Sequence, residues 1–181
     1  MAYDVYTLSG FILQIRESGE FDKNLVFFSK ERGLINIKAI SAGKSTSKMR
    51  GFLIRFCFLD IDVVHGKTGY RLTRARTFDN GFLIHKKESY FLLSKFEKLI
   101  TLLLPPETSH VGVFSVFCEL MQYIETNIVT DSLIDFLYYK YALLALAELG
   151  YRENKDLSLD TGVLKKEYDY ILYENGILNV I

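Results

Sequence analysis

The chain has 181 residues, 49% hydrophobic and 24% charged, and its 22 basic and 22 acidic side chains cancel to a formal net charge of zero. That balance excludes a disordered polyelectrolyte, and the length allows one domain or two small ones with a real core. No apolar run reaches the roughly 18 residues of a membrane span; the best candidate, Phe56 to Val64, is broken by Asp60 and Asp62.

The chain start lacks a basic segment followed by an apolar one, so a cleaved signal peptide is not expected and the cytoplasm is the default location. Cys57 and Cys118, both in apolar surroundings, are expected as buried thiols.

The first half has the punctuation of a β protein. Val5 to Ile15, Leu25 to Phe28, Gly33 to Ile40, Phe52 to Val64 and Tyr70 to Phe78 are rich in β-branched and aromatic residues. Turn signals separate them: Ser18-Gly19, Arg32-Gly33, a basic loop from Gly43 to Gly51, His65 to Gly69, and Asp79-Asn80-Gly81. Short strands at this spacing fit a small closed barrel of the OB type, because closure removes exposed edges.

The period then changes to that of helices. Leu92, Phe96, Leu99 and Leu103 form one stripe, ended by Pro105-Pro106. Val113, Phe117, Leu120 and Ile124 form a second. Leu133, Phe136, Leu137, Leu144 and Ala147 form a third, with Thr130 or Asp131 as N-cap and Gly150 as the stop. Tyr168 to Tyr173 reads as either a helix turn or an added strand. The expected fold class is α+β: an N-terminal OB-fold β-barrel over residues 1–82, then an all-α helical domain over 83–181, with the joint between Asp79 and Ser89.

Net neutrality hides an asymmetry. Residues 1–80 carry 13 Lys and Arg against 8 Asp and Glu; residues 81–181 carry 9 against 14. The window from Lys30 to Arg76 has 11 basic residues against only Glu31, Asp60 and Asp62. Such polarity points to a basic barrel facing a polyanion. At its centre lies Gly43-Lys44-Ser45-Thr46-Ser47-Lys48-Met49-Arg50-Gly51, whose small and hydroxyl residues let three cations lie on a phosphate backbone.

The competing chemistries fail on spacing. A P-loop needs glycine where Lys38 stands and a helix where Met49 runs toward a strand. His65, His85 and His110 are isolated from one another and from the cysteines, so neither a metal nor a cofactor is expected. No nucleophile elbow or catalytic carboxylate pair appears, Asp60 and Asp62 reading as the solvent side of a strand, and no enzyme is expected.

Glu20 to Val26, Ser29 to Ile35, the loop ending Lys48-Met49-Arg50-Gly51-Phe52-Leu53, and Leu143 to Tyr151 together resemble the bacterial DNA repair protein RecO family, over roughly residues 8 to 151. With no cysteines beyond Cys57 and Cys118, the chain resembles a short member lacking the family's four-cysteine zinc motif. The resemblance implies a non-catalytic recombination mediator. Such a protein binds and anneals single- and double-stranded DNA and, with RecR, helps load RecA on strands coated by single-stranded DNA-binding protein (SSB). A nucleoid-associated place in the cytoplasm follows.

Carried over from the family, Lys38, Lys44, Lys48 and Arg50 are the expected phosphate contacts; charge and strand alternation add Arg71, Arg74 and Arg76. Of Phe27, Phe28, Phe56 and Tyr70, the phenylalanines are expected in the core and Tyr70, beside a glycine turn, on the surface as a base-stacking ring. The alternative is an adaptor that binds RecR, or the acidic C-terminal tail of SSB in a groove rimmed by Lys140 or Arg152.

Overall fold

The computed structural model describes residues 4–77, 86–153 and 155–177. The expected Asp79-Asn80-Gly81 turn, Phe78, His85 and the joint at 82/83 lie outside the described residues. Two compact units are present: Met1–Leu83 with Leu103–Val111, and Ile84–Leu102 with Gly112–Ile181.

The first unit is a closed five-stranded barrel in the order β1-β2-β3-β5-β4, an OB-like topology. Its strands are β1 (Val5–Ser18), β2 (Asp22–Ser29), β3 (Gly33–Ala39), β4 (Phe58–Gly66) and β5 (Gly69–Thr77). β1 is long enough to pair with β4 through its first half and β2 through its second, with a register shift between Ile12 and Gln14 where it bends. β3 and β5 close the barrel through a short parallel pairing, Ile37 with Tyr70 and Lys38 with Arg71.

Alternation fills the interior. Leu25, Phe27, Ile35, Ile37, Leu59, Ile61, Val63, Tyr70 and Leu72 share one core, while Asn36, Lys38 and Arg71 point out. The expected strand from Phe52 begins only at Phe58. Residues 52–57 instead plug the barrel: Leu53 and Cys57 join its core with Ala42, and Met49 and Phe52 pack against it. Backbone bonds from Phe56 N to Ile12 O and from Ile12 N to Cys57 O tie this plug to β1.

A strap made of residues 103–111 completes the barrel unit. Pro106 bridges to Leu34, the Glu107 amide donates to the Leu34 carbonyl at 2.8 Å, and the Ser109 hydroxyl donates to the Lys30 carbonyl at 2.6 Å. Gly33 makes this approach possible. Its φ is +62°, and a Cβ there would stand 1.9 Å from the Thr108 carbonyl oxygen.

The second unit contains α1 (Lys87–Leu103, less its last residue), α2 (Val111–Thr126, from Gly112), α3 (Asp131–Glu148) and α4 (Thr161–Glu174). Leu92, Phe96 and Leu99 of α1 and Val113, Phe117 and Leu120 of α2 are buried, with Phe96 and Phe117 stacked at 5.9 Å. Helix α3 buries Ile134, Leu137, Tyr141, Ala145 and Leu146, whereas Leu133, Phe136, Leu144 and Ala147 of the expected stripe are only half-buried. The helix is apolar on most sides, so periodicity alone did not fix which face turns inward. The ambiguous tail is a helix, opened by the Asp160 carboxylate accepting from the Val163 amide at 3.0 Å.

Candidate nucleic-acid interface

β5 supplies the densest cation row. Its pairing with β4 shifts between Asp62 and Val63: Val63 faces Leu72, Asp62 faces Arg74, and Thr73 is the extra residue. That bulge breaks strict alternation, so Arg71, Thr73, Arg74 and Arg76 are all exposed while Tyr70, Leu72 and Ala75 face the core.

The long β3–β4 connection brings further cations. From Ser41 to Phe52 it runs as linked turns, with amides of Lys44, Ser47, Arg50 and Phe52 donating three residues back to Ser41, Lys44, Ser47 and Met49. Its entry is anchored on the β1–β2 turn. The Asp22 carboxylate accepts from the Ser41 amide at 2.8 Å and pairs with Lys38 Nζ at 3.4 Å, and the Gly43 amide donates to the Phe21 carbonyl. The Ser41 amide, followed by Lys38 and Lys44, holds the Asp22 carboxyl below its ordinary value despite an opposing desolvation effect. Lys44, Lys48 and Arg50 are exposed, Lys44 Nζ standing 5.7 Å from the Phe21 ring centroid.

Two concavities result. One, of about 550 Å³, lies between the loop and β5 and is lined by Ser47, Lys48, Met49, Phe52, Thr73, Arg74, Ala75 and Arg76. The other, of about 360 Å³, lies on the outer face of β2 and β3, where Arg16, Asn24, Asn36, Lys38 and Thr68 contribute. Strand register places Lys38 beside Arg71, and Arg71 precedes Arg74 on the same strand, so basic positions run from one concavity to the other. Arg16, Asn24 and Asn36 escaped the sequence reading. Alternation along β2 and β3 was the signal that placed both asparagines outward.

The arginines of β5 are not equally available. Arg76 Nη2 donates to both oxygens of Asp62 at 3.0 Å, and Arg74 Nε stands 4.0 Å from the same carboxylate. The Thr7 hydroxyl also donates to Asp62. Asp62 is therefore an arginine clip as well as a solvent-side residue. Among the described residues, Lys48, Arg50 and Arg71 enter no ion pair.

Tyr70 is not an exposed stacking ring. It is 5% accessible, and its hydroxyl accepts from Arg32 Nη1 at 3.0 Å. The Arg32 guanidinium also lies 4.5 Å from the Tyr6 ring centroid, while exposed His65 packs on the Tyr70 ring at 4.6 Å. Phe27, Phe28 and Phe56 are fully buried. The exposed ring on the β1–β2 turn is Phe21, 37% accessible.

Arg152 likewise leaves the expected partner groove. Its side chain is 6% accessible; Nε donates to Glu167 at 2.7 Å and Nη1 to the carbonyls of Glu153 and Lys155. It is an internal brace between the segment after α3 and α4. Lys140 is half-buried with Nζ 5.5 Å from the Tyr141 ring centroid.

Among the described residues, no group of three or more His, Cys, Asp or Glu side chains is close enough to hold a metal ion, and no helix is long and apolar enough to cross a membrane. Burial pushes the Cys57 thiol up, away from the thiolate a nucleophile needs.

Residues 1–80 match the family described as Recombination protein O N terminal. Over those residues the chain is similar to that RecO family. The match supports a general role in recombination and DNA repair, and the OB-like barrel with its outward cations fits DNA binding. No curated protein matches the chain closely enough to count as a relative.

Proposed function

We propose that this protein is a non-catalytic recombination mediator that binds single- and double-stranded DNA through its RecO-type barrel. The carrying observation is the convergence of Lys48 from the loop with Arg74 and Arg76 from β5 around one groove, continued by Arg71 and Lys38. Such cations neutralise phosphates and release counterions, giving affinity with little sequence preference. Holding two strands on one basic barrel while screening their repulsion would promote annealing. In this reading the protein works in the cytoplasm on nucleoid DNA and helps load RecA, with RecR and the SSB tail as partners. Lys140 remains a rim cation for that tail, whereas Arg152 is already committed to Glu167.

The adaptor reading, with little DNA binding of its own, draws support from Val163, Tyr170 and Tyr173, which lie exposed on α4. A salt titration of binding to single- and double-stranded DNA separates the two. The mediator reading expects log affinity to fall with log salt by about 0.7 per single-strand phosphate contacted. Lys44→Glu/Lys48→Glu/Arg50→Glu should lower low-salt affinity at least a hundredfold; parent-like binding by that variant would remove the loop from the interface.

A further inference from the structure

The groove between the loop and β5 differs in chemistry from the hollow on β2 and β3. Met49, Phe52 and Ala75 give it an apolar floor; Lys48, Arg74 and Arg76 stand around it, with the hydroxyl residues Ser47 and Thr73 between them. Phe52 and Met49 are only partly buried, so each packs on the barrel core and still has surface to offer. At about 550 Å³ the groove lies within the roughly 300–1,000 Å³ that hold a small organic ligand. A phosphate backbone alone needs no apolar floor. A duplex keeps its bases stacked inside and presents none to such a floor.

We propose that this groove holds an unpaired base of single-stranded DNA, laid on Phe52 and Met49, with the flanking phosphates on Lys48 and Arg74. The inference rests on the DNA-binding reading above and adds to it a strand preference and a base subsite. Basic positions continue beyond the groove, through Arg71 and Lys38 of the strands and Arg50 and Lys44 of the loop, with Lys38 and Lys44 both acting on the Asp22 carboxylate. That continuity fits a polymer with a charge at every unit better than an acidic peptide with a few clustered carboxylates. Asp62 acts as a placeholder: its carboxylate accepts from Arg76 Nη2 and approaches Arg74 until a phosphate, another anionic oxygen acceptor, takes them over.

The test uses the unaltered protein with oligothymidylate carrying 5-iododeoxyuridine, photocrosslinked and mapped by mass spectrometry. Parallel affinity measurements use an abasic oligomer of equal length and a blunt duplex. Crosslinks to Phe52 or Met49, with oligothymidylate bound about fivefold or more tightly than the abasic strand, are the expected result. Met49→Ala should narrow that preference, and a parent-like circular-dichroism spectrum and melting profile would report that the barrel still folds. DNA binding with crosslinks confined to Phe21 or the β2–β3 face, or with equal affinity for the abasic strand, overturns the base subsite and leaves the DNA reading standing. Displacement of the crosslink by an acidic aromatic peptide at micromolar concentration, with no preference for bases, reassigns the groove to a protein partner. Failure of the parent to bind any DNA at low salt overturns both readings.

Discussion

Cations of the barrel's loop and β5 and two cations of the helical unit, Arg152 and Lys95, are used in opposite ways. On the barrel, Lys48, Arg50 and Arg71 are exposed and, among the described residues, unpaired. In the helical unit, Arg152 is enclosed by Glu167 and two carbonyls. Lys95 is likewise held there, by Asp135 at 2.8 Å over the Tyr138 ring at 4.5 Å. A positive charge with its hydrogen bonds already satisfied is a structural part; one left in water is available to a polyanion. Counting cations by region therefore misjudges binding, and counting their unsatisfied donors is the better guide.

The sharpest way to break this contrast is Arg152→Ala. Removing a nearly buried guanidinium that bonds one carboxylate and two carbonyls should cost the helical unit about 1–3 kcal/mol. Chemical denaturation would show that loss, while DNA affinity at low salt stays within twofold of the parent. A large loss of DNA affinity by a still-folded variant would place Arg152 in the interface and end the distinction.

A smaller effect is expected from releasing the β5 arginines that Asp62 holds. Asp62→Asn removes the carboxylate that holds Arg76 Nη2 and stands near Arg74, so single-strand affinity should rise about three- to tenfold with a steeper salt dependence. Unchanged affinity and slope would mean that the β5 arginines do not meet phosphate.

The least effect concerns the anchor of the loop. The Asp22 carboxyl lies below its ordinary value, first because of the Ser41 amide and then because of Lys38. A depressed acid contributes stability that is complete above its unfolded value of 3.8 and lost as pH falls through the still lower folded value. Hydrogen exchange at the Ser41 amide should accelerate, relative to its intrinsic rate, below about pH 4. Asp22→Asn should remove that pH dependence; an unchanged acid profile in the variant would assign the transition to another carboxyl.

Much of this arrangement was legible in residue order. Alternation in β3 gave Ile35 and Ile37 inward and Lys38 outward, and the basic loop stood out from its composition. The start of β4 was misplaced because Phe52, Leu53 and Cys57 are apolar for a different reason: they pack into the barrel core from a connecting segment rather than alternate along a strand. Tyr70 beside its glycine looked exposed, but Arg32, 38 residues away, binds its hydroxyl. The partners of Arg152 and the Asp62 clip were hidden for the same reason. Tyr70 with Arg32, Arg152 with Glu167 and Asp62 with Arg76 each join residues 14 or more positions apart, and local pattern carries no record of them.

The strap that seats Thr108 against Gly33 has a consequence for how the protein is made. All five strands leave the ribosome before α1 does, yet the last piece of their unit is synthesised some thirty residues after β5. At about 5–20 residues per second, that leaves the nascent barrel unfinished for on the order of seconds. During that interval the Leu34 carbonyl awaits the Glu107 amide, and the edge around it is open to any other donor nearby. Completion of the barrel is thus timed by translation of the first helix, and a fragment released at the end of β5 would remain in that unfinished state.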